Sequence, residues 1–197
     1  MKYLKDFFDQ QKQLMDKFHH IEVGNFPELK FPSYDLPLNL EDQRAQSRLK
    51  EYAWRITEEL VECEAEYHKF AGPLWEERSK KVKEELIDAL HFLIEFYIAA
   101  GIKPEDLETP LESRPVFLDN TFTTFMVSLG ECMNLLKNRP WKQKHTPVDR
   151  DKFVSYCREM WYNFLNIAYE RDMNNTDIYH TYLSKHQENE SRIERGV

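Results

Sequence analysis

Glycine is scarce in this chain, with five residues in 197, and runs of alternating β-branched residues are few. Together these exclude a sheet-based architecture and leave the long patterns of period 3.6 to set the fold. Cysteine is scarce too. Cys63, Cys132 and Cys157 lie far apart with no CxxC pair, which argues against a disulfide framework or a zinc site and for reduced, buried thiols of a cytosolic protein. No stretch approaches the roughly 20 apolar residues of a membrane span, and the opening MKYLKDFFDQQKQ has no apolar signal core. The expectation is a soluble, intracellular protein without membrane contact. Positive charge is in deficit: 27 bases face 35 acids, a net −8. That balance excludes a general nucleic-acid-binding surface, and any phosphate handled by such a chain needs cations between it and the acids.

What remains is helix. The periodicity predicts a first helix over about residues 3–20, followed by the proline-containing loop FPELKFPSYDLPLNL, unsuited to helix or central strand. A second helix begins near Asn39 or Glu41 and ends before Gly72-Pro73. A third runs from Lys83 until Gly101 ends it, and Pro104 suits the first turn of a short helix, PEDL. Further helices are expected over about 120–137, 149–172 and 175–193, with the basic loop KNRPWKQKHTPVD between the first two. The reading is one all-α domain, a bundle of about six main helices over residues 1–197. It divides into a first half, 1–107, and a second, 116–197, that reads as a faint copy of it. "EELVECEAEYHKF…EELIDALHFLIEFYIAAGIKPEDL" aligns with "SLGECMNLLKNRPW…YCREMWYNFLNIAYERDMNNTDI", with most of the acid pattern gone.

The third helix carries a contradiction. From Leu86 to Tyr97 it is apolar almost all round, the pattern of a helix inside a protein. Yet Glu85, Asp88, His91 and Glu95 recur three, three and four residues apart and share about one third of its circumference. On the second helix Ile56, Leu60, Cys63, Tyr67 and Phe70 form an apolar stripe, and Glu59, Glu62 and Glu66 run along its edge. Antiparallel packing of the two stripes brings the acid edges together. Clustered, partly buried carboxylates need a positive partner. An oxygen-only donor set points to Mg²⁺ or Mn²⁺ rather than zinc. Taken alone, the glutamates of the second helix also suit a solvated face. The third helix offers no such alternative, because hydrophobes fill the rest of it.

ExxE (Glu59, Glu62), then 22 residues, then ExxD (Glu85, Asp88) resembles the all-α nucleoside triphosphate pyrophosphohydrolases, the MazG-like group. Within that group, "EELIDALHF" is similar to the E-hydrophobic-hydrophobic-D-x-x-HF of the dimeric dUTPases, which include phage enzymes acting on dUTP and dCTP. "DQQKQL" resembles their first motif, with Gln11 three residues before Leu14. "YLSKHQENESRIERG" resembles their C-terminal segment and supplies Lys185, Asn189, Arg192 and Arg195. Departures fall in the recognition segments. Lys69 and Trp75 stand in for a Trp-Lys-rich stretch, Met15 replaces an Asn, and the chain's last residues are Gly196-Val197.

The resemblance implies Mg²⁺-dependent hydrolysis of dUTP to dUMP and pyrophosphate, with dUDP or dCTP as further substrates, in a homodimer in a bacterial or phage-infected cytoplasm. Glu59, Glu62, Glu85 and Asp88 would hold the metal, and Glu62 would also act as general base on the attacking water. Lys185, Arg192 and Arg195 would neutralise phosphate oxygens, and Asn189 and His91 would touch substrate. Gln11 would read a base edge, since an amide both donates and accepts. Two other readings stand beside this one: the same chemistry on another deoxynucleoside triphosphate, and a non-catalytic helical interaction protein that keeps a decayed nucleotide site. Trp54, Trp141 and Trp161 are expected in the core or a dimer contact.

Overall fold

The computed structural model describes residues 3–25, 36–69, 75–108, 120–139 and 141–196. Among them lie seven helices and no strand: α1 (Leu4–Asn25), α2 (Gln43–His68), α3 (Trp75–Ala100), α4 (Pro104–Glu108), α5 (Thr121–Leu135), α6 (Arg150–Glu170) and α7 (Asn175–Arg195). The five-residue α4 is the expected PEDL turn. None of these helices is long and apolar enough to cross a membrane.

Local chemistry sets most helix starts. The Asp42 carboxylate accepts from the backbone N–H of Arg44 (2.8 Å) and Ala45 (2.9 Å), so α2 begins at Gln43 rather than at Asn39 or Glu41. Asn120 and Asp149 cap α5 and α6 in the same way, and Asn174 with Asp177 forms a reciprocal capping box at α7. The largest departure from the sequence reading is at α3, which starts at Trp75, eight residues before Lys83. The added stretch has few hydrophobes to reveal it, but glutamate, lysine and arginine are good helix formers. Tertiary contact then uses it: Lys81 reaches Glu66 on α2 at 2.9 Å. Helix α1 likewise runs to Asn25, beyond the expected residue 20. Phe70 and the Gly72-Pro73 stop signal lie outside the described residues.

Helix α3 is the axis of the molecule, touching α1, α2, α6 and α7. Leu86, Ile87, Leu90, Leu93, Ile94, Phe96 and Tyr97 are all fully buried. The α2–α3 pairing is antiparallel, since Glu66 meets Lys81 and the Cys63 thiol meets Val82 O (3.5 Å) at one end, while Arg55 lies over Phe92 at the other. Helices α5 and α6 form a second antiparallel pair, with Ser128 beside Glu159 and the Cys132 and Cys157 sulfurs 3.9 Å apart. Tyr97 Oη donates to Cys157 O (2.9 Å), joining the two pairs. All three cysteines are buried free thiols, as expected. Trp161 belongs to the core, but Trp54 and Trp141 are 63% and 76% exposed, so neither packs in the core. Their indoles extend from a solvent face of α2 and from the basic loop.

The turn after α3 depends on backbone freedom. Gly101 has φ +70°, and a Cβ there would sit 2.9 Å from Pro37 Cβ, while Arg150 donates to the carbonyls of Ala100 (2.8 Å) and Gly101 (2.9 Å). Gly101→Ala is expected to cost about 1–3 kcal/mol in chemical denaturation, from the left-handed backbone and the contact with Pro37 together. An unchanged midpoint would show that the turn relaxes freely.

Candidate metal and nucleotide site

Antiparallel α2 and α3 bring their acid edges together. Glu59 from α2 and Glu85 and Asp88 from α3 each present a carboxylate oxygen, and all three oxygens lie within 4.8 Å of one another. Glu85 and Asp88 are one helical turn apart and share a face; Glu59 comes from across the seam. Burial pushes the Glu59 carboxyl up to about 7, and the charges of Asp88, Glu62, Glu85 and Glu58 add to the rise. Glu85 is raised by burial and then by Glu62 and Asp88. Asp88 is raised by burial as well, against the pull of Lys185. Three carboxylates that each hold their protons too tightly, with only oxygen donors between them, have the donor chemistry of a hard divalent cation. The residues fit one.

Glu62 sits elsewhere. It is exposed, one turn beyond Glu59, and lies outside the converging trio, although its charge reaches Glu59 and Glu85. The other acid of that stripe, Glu66, is buried and neutralised by Lys69 and Lys81. Of the expected ligands, the structure therefore gathers Glu59, Glu85 and Asp88, with Glu62 at the solvent edge.

A cavity of about 480 Å³ opens beside the trio, within the range of small-molecule sites. Glu59 and Asp88 line one part of it; Gln11, Met15 and Phe18 of α1 and His91, Phe92 and Glu95 of α3 line another. Helix α7 closes it with Asn189 and Arg192. Lys185 is mostly buried and meets Asp88 Oδ2 at 2.9 Å. Burial works against its charge, but the Asp88 carboxylate more than offsets this, and its pKa stands above the ordinary lysine value. Arg192 pairs with Glu188. Arg195 is exposed, donates to Ser191 O (3.2 Å) and does not line the cavity. Of the four α7 residues expected to bind substrate, three stand at the site and Arg195 stands off it.

Gln11 and His91 are held in a polar network within the core. Gln11 is 1% exposed; its Oε1 lies 2.7 Å from both Tyr182 Oη and His91 Nδ1, and its Nε2 donates to Glu95 Oε1 at 2.8 Å. The His91 ring stacks on Tyr182, 4.3 Å between centroids. Burial, then the charges of His186 and Lys185, pushes the His91 imidazole down to about 3. The folded protein therefore keeps His91 neutral where the unfolded chain, with an ordinary value near 6.5, takes up a proton. The sign follows: stability tied to His91 is full above about 6.5 and falls as pH drops below it. Between pH 7 and pH 5 this contributes a loss of about 2 kcal/mol. In His91→Gln the pH 7-to-5 drop, read by urea denaturation, should shrink by about that amount; an unchanged slope would place the titration elsewhere.

Sequence reasoning missed several cavity residues. Arg48 and Arg55 lie over the rings of Tyr52 (5.6 Å) and Phe92 (5.8 Å). Tyr182, in the YLSKH stretch, does not line the cavity but is buried behind it, bonded to Gln11, and Glu95 stands on the acid line of α3. Glu95 had a periodic signal; Arg48, Tyr52 and Arg55 follow no pattern that separates them from a solvated helix face.

A bundle that is helical throughout its described residues, with an oxygen-only acid trio beside a nucleotide-sized cavity, defines a class of proteins built to hold a hard cation against a small anionic ligand. A family model described as dUTPase (dUTPase_2) matches residues 37–196, and the chain belongs to that family. It is thus an all-α nucleotide hydrolase of the dUTP-cleaving kind, in a family that typically uses a divalent metal. Neither the curated proteins nor the solved structures compared with the chain give a match. Helix α1, which carries Gln11, precedes the matched segment.

Proposed function

We propose that this enzyme hydrolyses dUTP to dUMP and pyrophosphate with Mg²⁺, for which Mn²⁺ substitutes, and so controls the deoxynucleotide pool. The observation that carries this reading is the trio of Glu59, Glu85 and Asp88 oxygens within 4.8 Å, partly buried, with Lys185 at 2.9 Å from Asp88 Oδ2. Those three residues would hold the ion, with Glu62 as a further ligand from the solvent edge. When bound, Mg²⁺ withdraws charge from phosphate oxygens and makes a water more acidic.

The side chains do the remaining work. Lys185 and Arg192 lie on α7 beside the cavity and neutralise phosphate oxygens, Arg192 with a planar fork suited to two of them. Arg195 reaches the phosphates only if the end of α7 turns inward on binding. Asn189 and His91 position the substrate. Exposed Glu62 is placed to take a proton from solvent water, which supports its assignment as general base. We read the assembly as a homodimer in a bacterial or phage-infected cytoplasm. The second antiparallel pair, α5–α6, supports the reading of residues 116–197 as a copy of 1–107 without the metal edge.

The test is phosphate release, with added inorganic pyrophosphatase, across dUTP, dUDP, dCTP and the other deoxynucleotides in Mg²⁺, Mn²⁺ and chelator. The expected result is dUTP turnover that chelator abolishes. Preference for another deoxynucleotide would move the substrate assignment, and no release from any would favour a non-catalytic helical protein with a decayed site.

A further inference from the structure

Helix α7 sets Lys185, Glu188 and Arg192 three and four residues apart, which puts one acid between two cations on a single helix face. The structure makes both pairs. Glu188 accepts from Arg192 Nη2 through Oε1, and its Oε2 lies 3.8 Å from Lys185 Nζ. Lys185 also meets Asp88 Oδ2 at 2.9 Å. Acid and base therefore alternate from the carboxylate trio to the cavity wall: Asp88, Lys185, Glu188, Arg192. The row acts as one electrostatic unit, since the charge of Glu188 is felt at both Lys185 and Asp88. Exposure rises along it, from 15% for the Lys185 side chain to 45% for Glu188 and 49% for Arg192.

Lys185 and Arg192 are the cations that the proposed function sets against phosphate oxygens, and each already has a carboxylate beside it. Glu188 does not line the cavity, so it acts through them. Half-exposed pairs one helical turn apart contribute little to stability, which leaves their effect on binding as the larger consequence. We propose that Glu188 is a positioning residue that competes with phosphate for Lys185 and Arg192 and so weakens the grip on free pyrophosphate. A bare anion gains the two cations only by stripping Asp88 and Glu188 of their countercharges. Asp88, 25% exposed, is the costlier of the two to strip. A triphosphate that carries its own divalent cation returns a positive charge to Asp88 as it takes Lys185. The row is thus biased toward the metal-bound substrate and against the bare product. Glu188 sets the strength of that bias, because its carboxylate both occupies the cations and repels an incoming anion.

This inference rests on the reading that Lys185 and Arg192 meet the phosphates of dUTP, and the experiment separates the two. Wild type, Glu188→Gln and Glu194→Gln are titrated with pyrophosphate in chelator by calorimetry, then assayed on dUTP with Mg²⁺. Glu194 is exposed two residues beyond Arg192, so its substitution removes the same charge from the same helix outside the row. Glu188→Gln should bind pyrophosphate about five- to tenfold more tightly than wild type. Its KM for dUTP should fall about three- to tenfold without a rise in kcat, because the relief acts on binding. Glu194→Gln should change each quantity by less than about twofold. Adding Arg192→Gln to Glu188→Gln should remove most of the gain, since the competition runs through that cation. Melting temperature should barely move in either single variant. Weaker pyrophosphate binding in Glu188→Gln would mean that the acid only orients the cations, and an equal gain in Glu194→Gln would mean a general charge effect. Either result, or no detectable pyrophosphate binding by wild type and Glu188→Gln alike, overturns the proposal while dUTP turnover keeps the parent reading intact. Tighter pyrophosphate binding in Glu188→Gln with no wild-type turnover of any nucleotide overturns the dUTP reading and upholds the competition.

Discussion

Asp88→Asn and Glu59→Gln should each lower dUTP turnover on the order of 10³-fold or more while leaving the fold intact, and Glu59→Gln should make the metal-free protein more stable. The two effects share one cause. Glu59, Glu85 and Asp88 bring their oxygens within 4.8 Å of one another; burial raises all three carboxyls, and the neighbouring acids raise Glu59 and Glu85 further. Without a divalent ion the cluster is a liability that neutral amides relieve. With substrate and metal present it is the seat that the amides destroy.

The pH dependence follows with its sign. The folded Glu59 titrates near 7 against an ordinary 4.5, so the folded chain holds more protons in that window. Stability linked to Glu59 is full below about 4.5 and is lost as pH rises through about 7. Glu59 is only partly buried, so solvent screening discounts the gain from Glu59→Gln at pH 8 to about 1 kcal/mol, roughly 2–4 °C in melting temperature. Divalent ion should erase that gap by stabilising wild type alone. A variant that loses activity and melts lower in chelator would mean that Glu59 holds the helices together rather than a metal.

Arg171→Leu should cost about 3–5 kcal/mol, the largest stability loss expected from any single change outside the hydrophobic core. Arg171 ends α6 with its side chain 6% exposed, ion-paired to Glu64 of α2 and to Glu170. Its guanidinium lies 3.8 Å from the Tyr67 ring centroid. Removing it leaves Glu64, 16% exposed, with the His68 imidazole at 3.1 Å but no guanidinium, and strips the cation from Tyr67. Adding Glu64→Leu should recover most of the loss, since a buried ion pair is often replaceable by apolar groups although one half of it is not. Urea denaturation of the two single variants and the double variant measures the coupling. A double variant no more stable than Arg171→Leu would assign the loss to packing against Tyr67. The clasp also bears on the site, because it ties to α6 the stretch of α2 that follows Glu59 and Glu62.

Much of the fold was legible because helices announce themselves locally. Gly101 marks the end of α3 as the sequence led one to expect, whereas the cap of α2 is Asp42 and not Asn39 or Glu41. The start of α3 was hidden, since residues 75–82 carry charge rather than periodic hydrophobes. The acid lines of α2 and α3 were readable as stripes, but a stripe has no depth. Glu59 turned out partly buried in the trio, Glu62 exposed at its edge and Glu66 spent on two lysines.

By itself, then, the sequence determined that the chain is helical, that α2 and α3 each carry a line of acids beside an apolar stripe, and that these acids offer oxygen donors rather than thiolates, because period and residue chemistry are properties of single elements. Which carboxylates meet, that Lys185 faces Asp88, that Arg195 stands away, and that Gln11 has spent its acceptor on Tyr182 and His91 were decided only by tertiary structure. Those facts depend on distances between α1, α2, α3 and α7, and a hydrogen bond or an ion pair changes with each ångström of separation, whereas helical periodicity does not register separation at all.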